Sequence, residues 1–190
     1  MTKTRTVQEA DRYLQDCIAA MGSVDLLVVD QVIRRLQTAR EQGQVVYIAG
    51  NGGSASTAGH MAVDLSKTSA RIHGRRIRTV SLTDSVSKLT AISNDISYDQ
   101  VFAEQLVQVI QPDDLLILIS VSGTSVNTVT AARVARQSGA SVISFTGTGG
   151  GDLKPVSDIC VQVDSDDFGY VEDTHMMLVH MITRVLTLDT

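Results

Sequence analysis

At 190 residues, with 43% hydrophobic and 19% charged side chains, the chain has the make-up of one soluble globular domain with a real core. A net charge of −5, 4% aromatics and no Trp exclude a nucleic-acid binder that works by phosphate neutralisation or base stacking. Small anionic ligands stay open, because the local field of a cleft can oppose the overall charge. The two cysteines, Cys17 and Cys160, lie far apart with no paired motif, which reads as a reduced, cytoplasmic protein. The polar start carries no apolar stretch of signal type, and the longest apolar run, Leu115–Ile119, is too short for a bilayer.

In chain order, residues 6–21 and 25–42 read as two amphipathic helices joined at Gly22-Ser23. In the second, Leu27, Val28, Val32 and Leu36 recur at helical spacing, Arg34, Arg35, Arg40 and Glu41 take the other side, and Gly43 closes it. Strands then alternate with helices: Val45–Ala49 a strand, Ser54–Lys67 a helix, Ile77–Leu82 a strand, then helical stretches at Ser85–Ile92 and Tyr98–Ile110. Leu115–Ser120 is a strand, Val126–Gln137 a helix, Ser141–Thr146 and Ile159–Val163 strands, and Val171–Leu186 the last helix. Short β-branched runs between helices predict a doubly wound α/β domain. Its five-stranded parallel sheet is flanked by helices, with residues 1–43 an added helical arm and 44–190 the core of a single domain. Ligands in such sheets bind beyond the carboxyl ends of the strands.

Two loops stand at such ends. The apolar run Ile117-Leu118-Ile119 stops at Ser120-Val121-Ser122-Gly123-Thr124-Ser125 and restarts as an alanine-rich helix. Hydroxyls and free backbone N–H groups thus gather at the positive end of a helix, where an anion binds. The Gly-Lys-Ser/Thr ending of a nucleotide-triphosphate loop is absent, so one phosphate on a small polar ligand is the better match. The other loop, Gly50-Asn51-Gly52-Gly53-Ser54-Ala55, formally fits a dinucleotide fingerprint, but the acid that should follow about 20 residues on is missing. Its glycines suit close approach of the backbone to a small ligand, with Asn51 and Ser54 as directional partners.

Behind that loop, His60 and Asp64 stand four apart and share a helical face, among the apolar Ala58, Met61, Ala62, Val63 and Leu65. The last helix likewise sets Glu172, Asp173, His175 and His180 among methionines and aliphatics. Two largely apolar helices that each carry acid and histidine predict a shared polar pocket, an acid/base site, a metal site or both.

Taken together, Gly50-Asn51-Gly52-Gly53-Ser54, His60 with Asp64, Asn94-Asp95 before Tyr98-Asp99-Gln100-Val101-Phe102, Ser120-x-Ser122-Gly123-x-Ser125 and His175/His180 resemble the phosphoheptose isomerases of the sugar isomerase (SIS) superfamily. The resemblance runs over nearly the whole chain. It implies a homotetramer, with active sites between subunits, that isomerises sedoheptulose 7-phosphate to an aldoheptose 7-phosphate. Ser120, Ser122, Thr124 and Ser125 would hold the phosphate. Asn51, Gly52, Gly53, Ser54, Asp95 and Glu172 would bind the sugar, and Asp64 with His180 would be the acid/base pair. Zinc would sit on His60, Asp64, Glu172 and His180; no nucleotide cofactor, nucleic acid or membrane is implied.

Departures from the family pattern are Asp64 where a glutamate is usual, Glu172 where a glutamine is usual, and Lys67-Thr68 where an arginine is usual. The stretch after Tyr170 is also shortened. Glu172 and His180 lie about 12 Å apart along a straight helix, and Asp173 is nearer to the face of His180. The alternative reading is a non-catalytic SIS-domain protein that binds phosphosugars or regulates a partner.

Overall fold

The computed structural model describes residues 4–68 and 76–188. The arm is α1 (Arg5–Gly22) and α2 (Leu26–Gln42). Asp25 caps α2 by accepting from Leu27 N at 2.8 Å, and Gly43 closes it in the left-handed region at φ 69°. The core runs β1 (Val45–Gly50), α3 (Gly53–Thr68), β2 (Arg78–Ser81), α4 (Val86–Asp95), α5 (Ala103–Leu106), β3 (Leu115–Ile119), α6 (Val126–Gln137), β4 (Ser141–Thr146), β5 (Ile159–Gln162) and α7 (Phe168–Leu188). Short 3₁₀ turns occupy Tyr98–Gln100 and Gly151–Val156.

All strand pairs are parallel, in the order β2-β1-β3-β4-β5. Alternation along the strands feeds two cores. Val46, Ile48, Leu115, Ile117, Ile143 and Phe145 face the layer of α2, α3 and α7, whereas Tyr47, Ala49, Leu116, Leu118 and Val142 face α5 and α6. A sheet covered on both sides needs unbroken apolar strands, and Leu115–Ile119 is buried at every position.

Three expectations need correction. The helix expected over Tyr98–Ile110 breaks into the 3₁₀ turn, one turn of α5 and an irregular exit in which Gln108 has φ 70°. Val101, Val107, Val109 and Ile110 are poor helix formers, and Pro112 disfavours helical backbone at Gln111. Arg40 is buried rather than on the open side of α2, and Arg35 is tied to Asp113 O at 2.6 Å and Gln44 Oε1 at 2.8 Å. The last helix starts at Phe168, before the expected Val171, because Asp167 Oδ1 accepts from Gly169 N at 2.9 Å and Tyr170 N at 3.2 Å.

Candidate active site

The strand order reverses between β1 and β3, the place where such sheets bind ligands. Gly50 pairs with Ile119, so both strands end at one level and their loops stand side by side. Gly52 takes the left-handed φ of 56° that swings the chain into α3. A cleft of about 90 Å³ opens there between Asn51, Ser54, Ser120, Ser122, Ser125, Phe168 and Glu172. The first turns of α3 and α6 both meet it, and each brings unpaired backbone N–H groups and positive dipole. Ser125 begins α6 without a side-chain cap bond, which leaves its hydroxyl for a ligand. Ser122 accepts instead from Thr124 N at 3.2 Å and Thr124 Oγ1 at 3.1 Å, so Thr124 braces the loop and stays outside the lining of the cleft. Such a volume suits a phosphate group, about three waters' worth, better than a whole sugar.

Glu172 occupies the same cleft, against the start of α3. A Cβ on Gly53 would meet its carboxylate and push it aside, so glycine there is what lets the Glu172 side chain lie against the helix start. A carboxylate at a helix N-terminus is favourable, and it sits where an incoming anion would go.

Further along α3, the polar face diverges from the core face. Ala58, Met61, Ala62 and Leu65 are buried, whereas His60, Val63 and Asp64 line an open groove with Ser56, Thr83 and Asp84. Although largely apolar, the helix is open along this face, and Val63 is exposed. His60 Nε2 stands 3.3 Å from Asp64 Oδ2 and 3.0 Å from His180 Nε2, which α7 brings alongside. The three donor atoms lie within 4.8 Å of one another. One nitrogen of His60 faces both partners, and its single proton, or single lone pair, cannot serve both well. A cation satisfies all three lone pairs at once, so the donor set fits zinc. Two imidazole nitrogens and a carboxylate oxygen so close together are donor types that zinc takes.

The remaining expected residues separate. Glu172 lies in the serine cleft and outside that cluster of donors, as the long span to His180 along α7 requires. Asp173 accepts from Tyr13 OH at 2.9 Å and holds α1. His175 turns into the core, edge-on to Phe145 with ring centroids 6.1 Å apart, and burial pulls its pKa down from 6.5 to about 4. Asp95 is exposed at the end of α4, bonded by Asn94 at 2.8 Å, away from the lining of the cleft. Three residues given no role from sequence do reach the two recesses: Asn127 and Tyr98 through Asn51, and Asp84 in the groove. Only long-range contacts place them, and local spacing carries no signal for these.

Comparison with known proteins bears on the chain as a whole. The family model for the SIS domain matches residues 12–147. A Thermoplasma acidophilum protein named "Probable phosphoheptose isomerase" is 32% identical over 94% of this chain and 97% of its own length. The phosphoheptose isomerase of Helicobacter pylori strain P12 is 35% identical over 86% of this chain and 84% of its own. The structure of a phosphoheptose isomerase from Francisella tularensis superposes with a TM-score of 0.89 at 26% identity, covering 98% of this chain and all of the other. With the family model and these relatives matching over most of its length, the chain belongs to the SIS-domain family and, within it, to the phosphoheptose isomerases.

Proposed function

We propose that the protein is a ketose–aldose isomerase that converts sedoheptulose 7-phosphate to an aldoheptose 7-phosphate through an enediolate. The observation that carries this reading is the convergence of His60, Asp64 and His180 within 4.8 Å in an open groove of a phosphoheptose isomerase family member. Isomerisation moves one proton from C1 to C2 and another between the two oxygens. Asp64 takes the carbon-bound proton and returns it to the neighbouring carbon. His180 hydrogen-bonds the oxygens and exchanges their proton, and His60 lies beside both, 3.3 Å from Asp64 and 3.0 Å from His180. The serine cleft takes the phosphate, and anchoring that end cuts the freedom the open chain must lose. Zinc held by His60, Asp64 and His180 would engage the Nε2 lone pair of His180 and would then supply Lewis acidity toward the oxygens in place of that proton exchange.

We further read a homotetramer with sites between subunits. Val7, Leu14 and Ile18 leave an apolar stripe exposed on α1, which suits subunit contact. Free Cys17 and Cys160 suit a reducing cytoplasm.

The test is an NMR assay of the purified, metal-analysed protein with sedoheptulose 7-phosphate, with and without chelator. Aldoheptose phosphate should form, and Asp64→Asn should slow its formation by about 10²–10⁴-fold with the fold intact. A wild-type protein that turns nothing over, zinc added, would sink the reading.

A further inference from the structure

Asn51 is held more tightly than a ligand-binding amide at a loop needs to be. Its Nδ2 donates to Asn127 Oδ1 at 2.9 Å, and its Oδ1 accepts from Asn127 Nδ2, also at 2.9 Å. The two amides thus close a ring between the end of β1 and the first turn of α6, with Asn127 only 2% exposed. A third bond comes from Tyr98, whose hydroxyl donates to the same Oδ1 at 3.0 Å. A side-chain amide offers two lone pairs and two N–H groups. Both lone pairs and one N–H are spent, which leaves a single N–H that has no protein partner among the described residues. Asn51 lines the serine cleft.

We propose that Tyr98 and Asn127 are positioning residues that fix the Asn51 amide so that it meets the cleft as a hydrogen-bond donor. An oxygen that accepts twice polarises its own amide and strengthens the remaining N–H. Turned the other way, the amide would point Oδ1 at the ligand and repel an anion. Asn127 is built in at the helix start, whereas Tyr98 is 57% exposed on the 3₁₀ turn and is the removable half of the clamp. The inference deepens the proposed function by assigning the orientation of one group in its phosphate cleft.

The experiment compares wild type, Tyr98→Phe, Asn51→Ala and the double variant. It reads KM and kcat with sedoheptulose 7-phosphate, the Kd of inorganic phosphate by calorimetry, and thermal midpoints. Tyr98→Phe should raise KM and the phosphate Kd about three- to tenfold, with kcat and midpoint little moved, the size of one hydrogen bond. The double variant should bind no more weakly than Asn51→Ala alone, because Tyr98 acts through Asn51. Unchanged KM and Kd in Tyr98→Phe, or an effect that adds in full to Asn51→Ala, would overturn the inference. A wild type that binds no phosphate would do the same. If wild type shows no turnover yet phosphate binding follows the expected pattern, the isomerase reading falls and the clamp stands.

Discussion

Glu172 puts a full negative charge into a cleft otherwise made of hydroxyls, amide and helix N-termini. Its carboxylate stabilises the start of α3, and there it opposes a phosphate. Two charges about 4 Å apart in a partly solvated cleft repel by roughly 1–4 kcal/mol. Glu172→Gln keeps the shape and removes that repulsion, so KM for the phosphosugar should fall about tenfold, with the gain shrinking as salt is added. The cost is part of a helix-terminus interaction, roughly 0.3–1 kcal/mol of stability. Steady-state kinetics at two ionic strengths reads the first and urea unfolding the second. A rise in KM would mean that the carboxylate serves a cation instead. Residue patterns alone gave part of this. The pair His60 and Asp64 could be read from their spacing of four, and a polar pocket shared with the last helix from acid and histidine on two apolar helices; only the family resemblance favoured His180 over His175. Glu172 beside Gly53, and Tyr98 on Asn51, could not, because chain folding and not helical period creates those neighbours.

Among the elements, α7 divides its two histidines by face: His180 joins the groove, and five residues earlier His175 enters the core. Buried, His175 must stay neutral, and its folded pKa of about 4 lies below the ordinary 6.5 of the unfolded chain. Between those values the unfolded state binds the extra proton, so stability rises with pH there. This group's contribution is complete above about pH 6.5 and is lost as pH falls toward 4, in total roughly 3 kcal/mol. His175→Gln should therefore lose less stability than wild type between pH 7 and pH 5, by roughly 2 kcal/mol in paired urea titrations. Parallel losses in the two proteins would show that α7 does not hold His175 neutral. Alternation of short β-branched runs with amphipathic stretches was enough to read the order of strands and helices in the chain. What it missed were places where tertiary demands outweigh period: the broken segment after Tyr98, Arg40 drawn inward, and the early start of α7 at Asp167, hidden by Gly169.

At the scale of the whole molecule, the serine cleft and the His60–Asp64–His180 groove sit at different levels of the same two helices. Gly53 to His60 spans about 10 Å of rise and Glu172 to His180 about 12 Å. On the proposed assembly, one copy's cleft works with another copy's groove, and the exposed stripe of Val7, Leu14 and Ile18 joins the copies. Charging that stripe with Leu14→Asp and Ile18→Asp should yield smaller particles by light scattering and abolish turnover. Loss of turnover alone does not show which chain supplies which half, but mixing does. His180→Asn leaves the cleft intact, and Ser122→Asp spoils the cleft with a charge while sparing the groove; each should be inactive alone. If every site lay within one chain, a co-expressed hybrid would contain no complete site. If sites form across subunits, intact cleft meets intact groove at on the order of a quarter of the interfaces in a symmetric homo-oligomer. A hybrid purified through two different tags should then regain activity of that order, and a hybrid as inactive as its parents would confine each site to one chain.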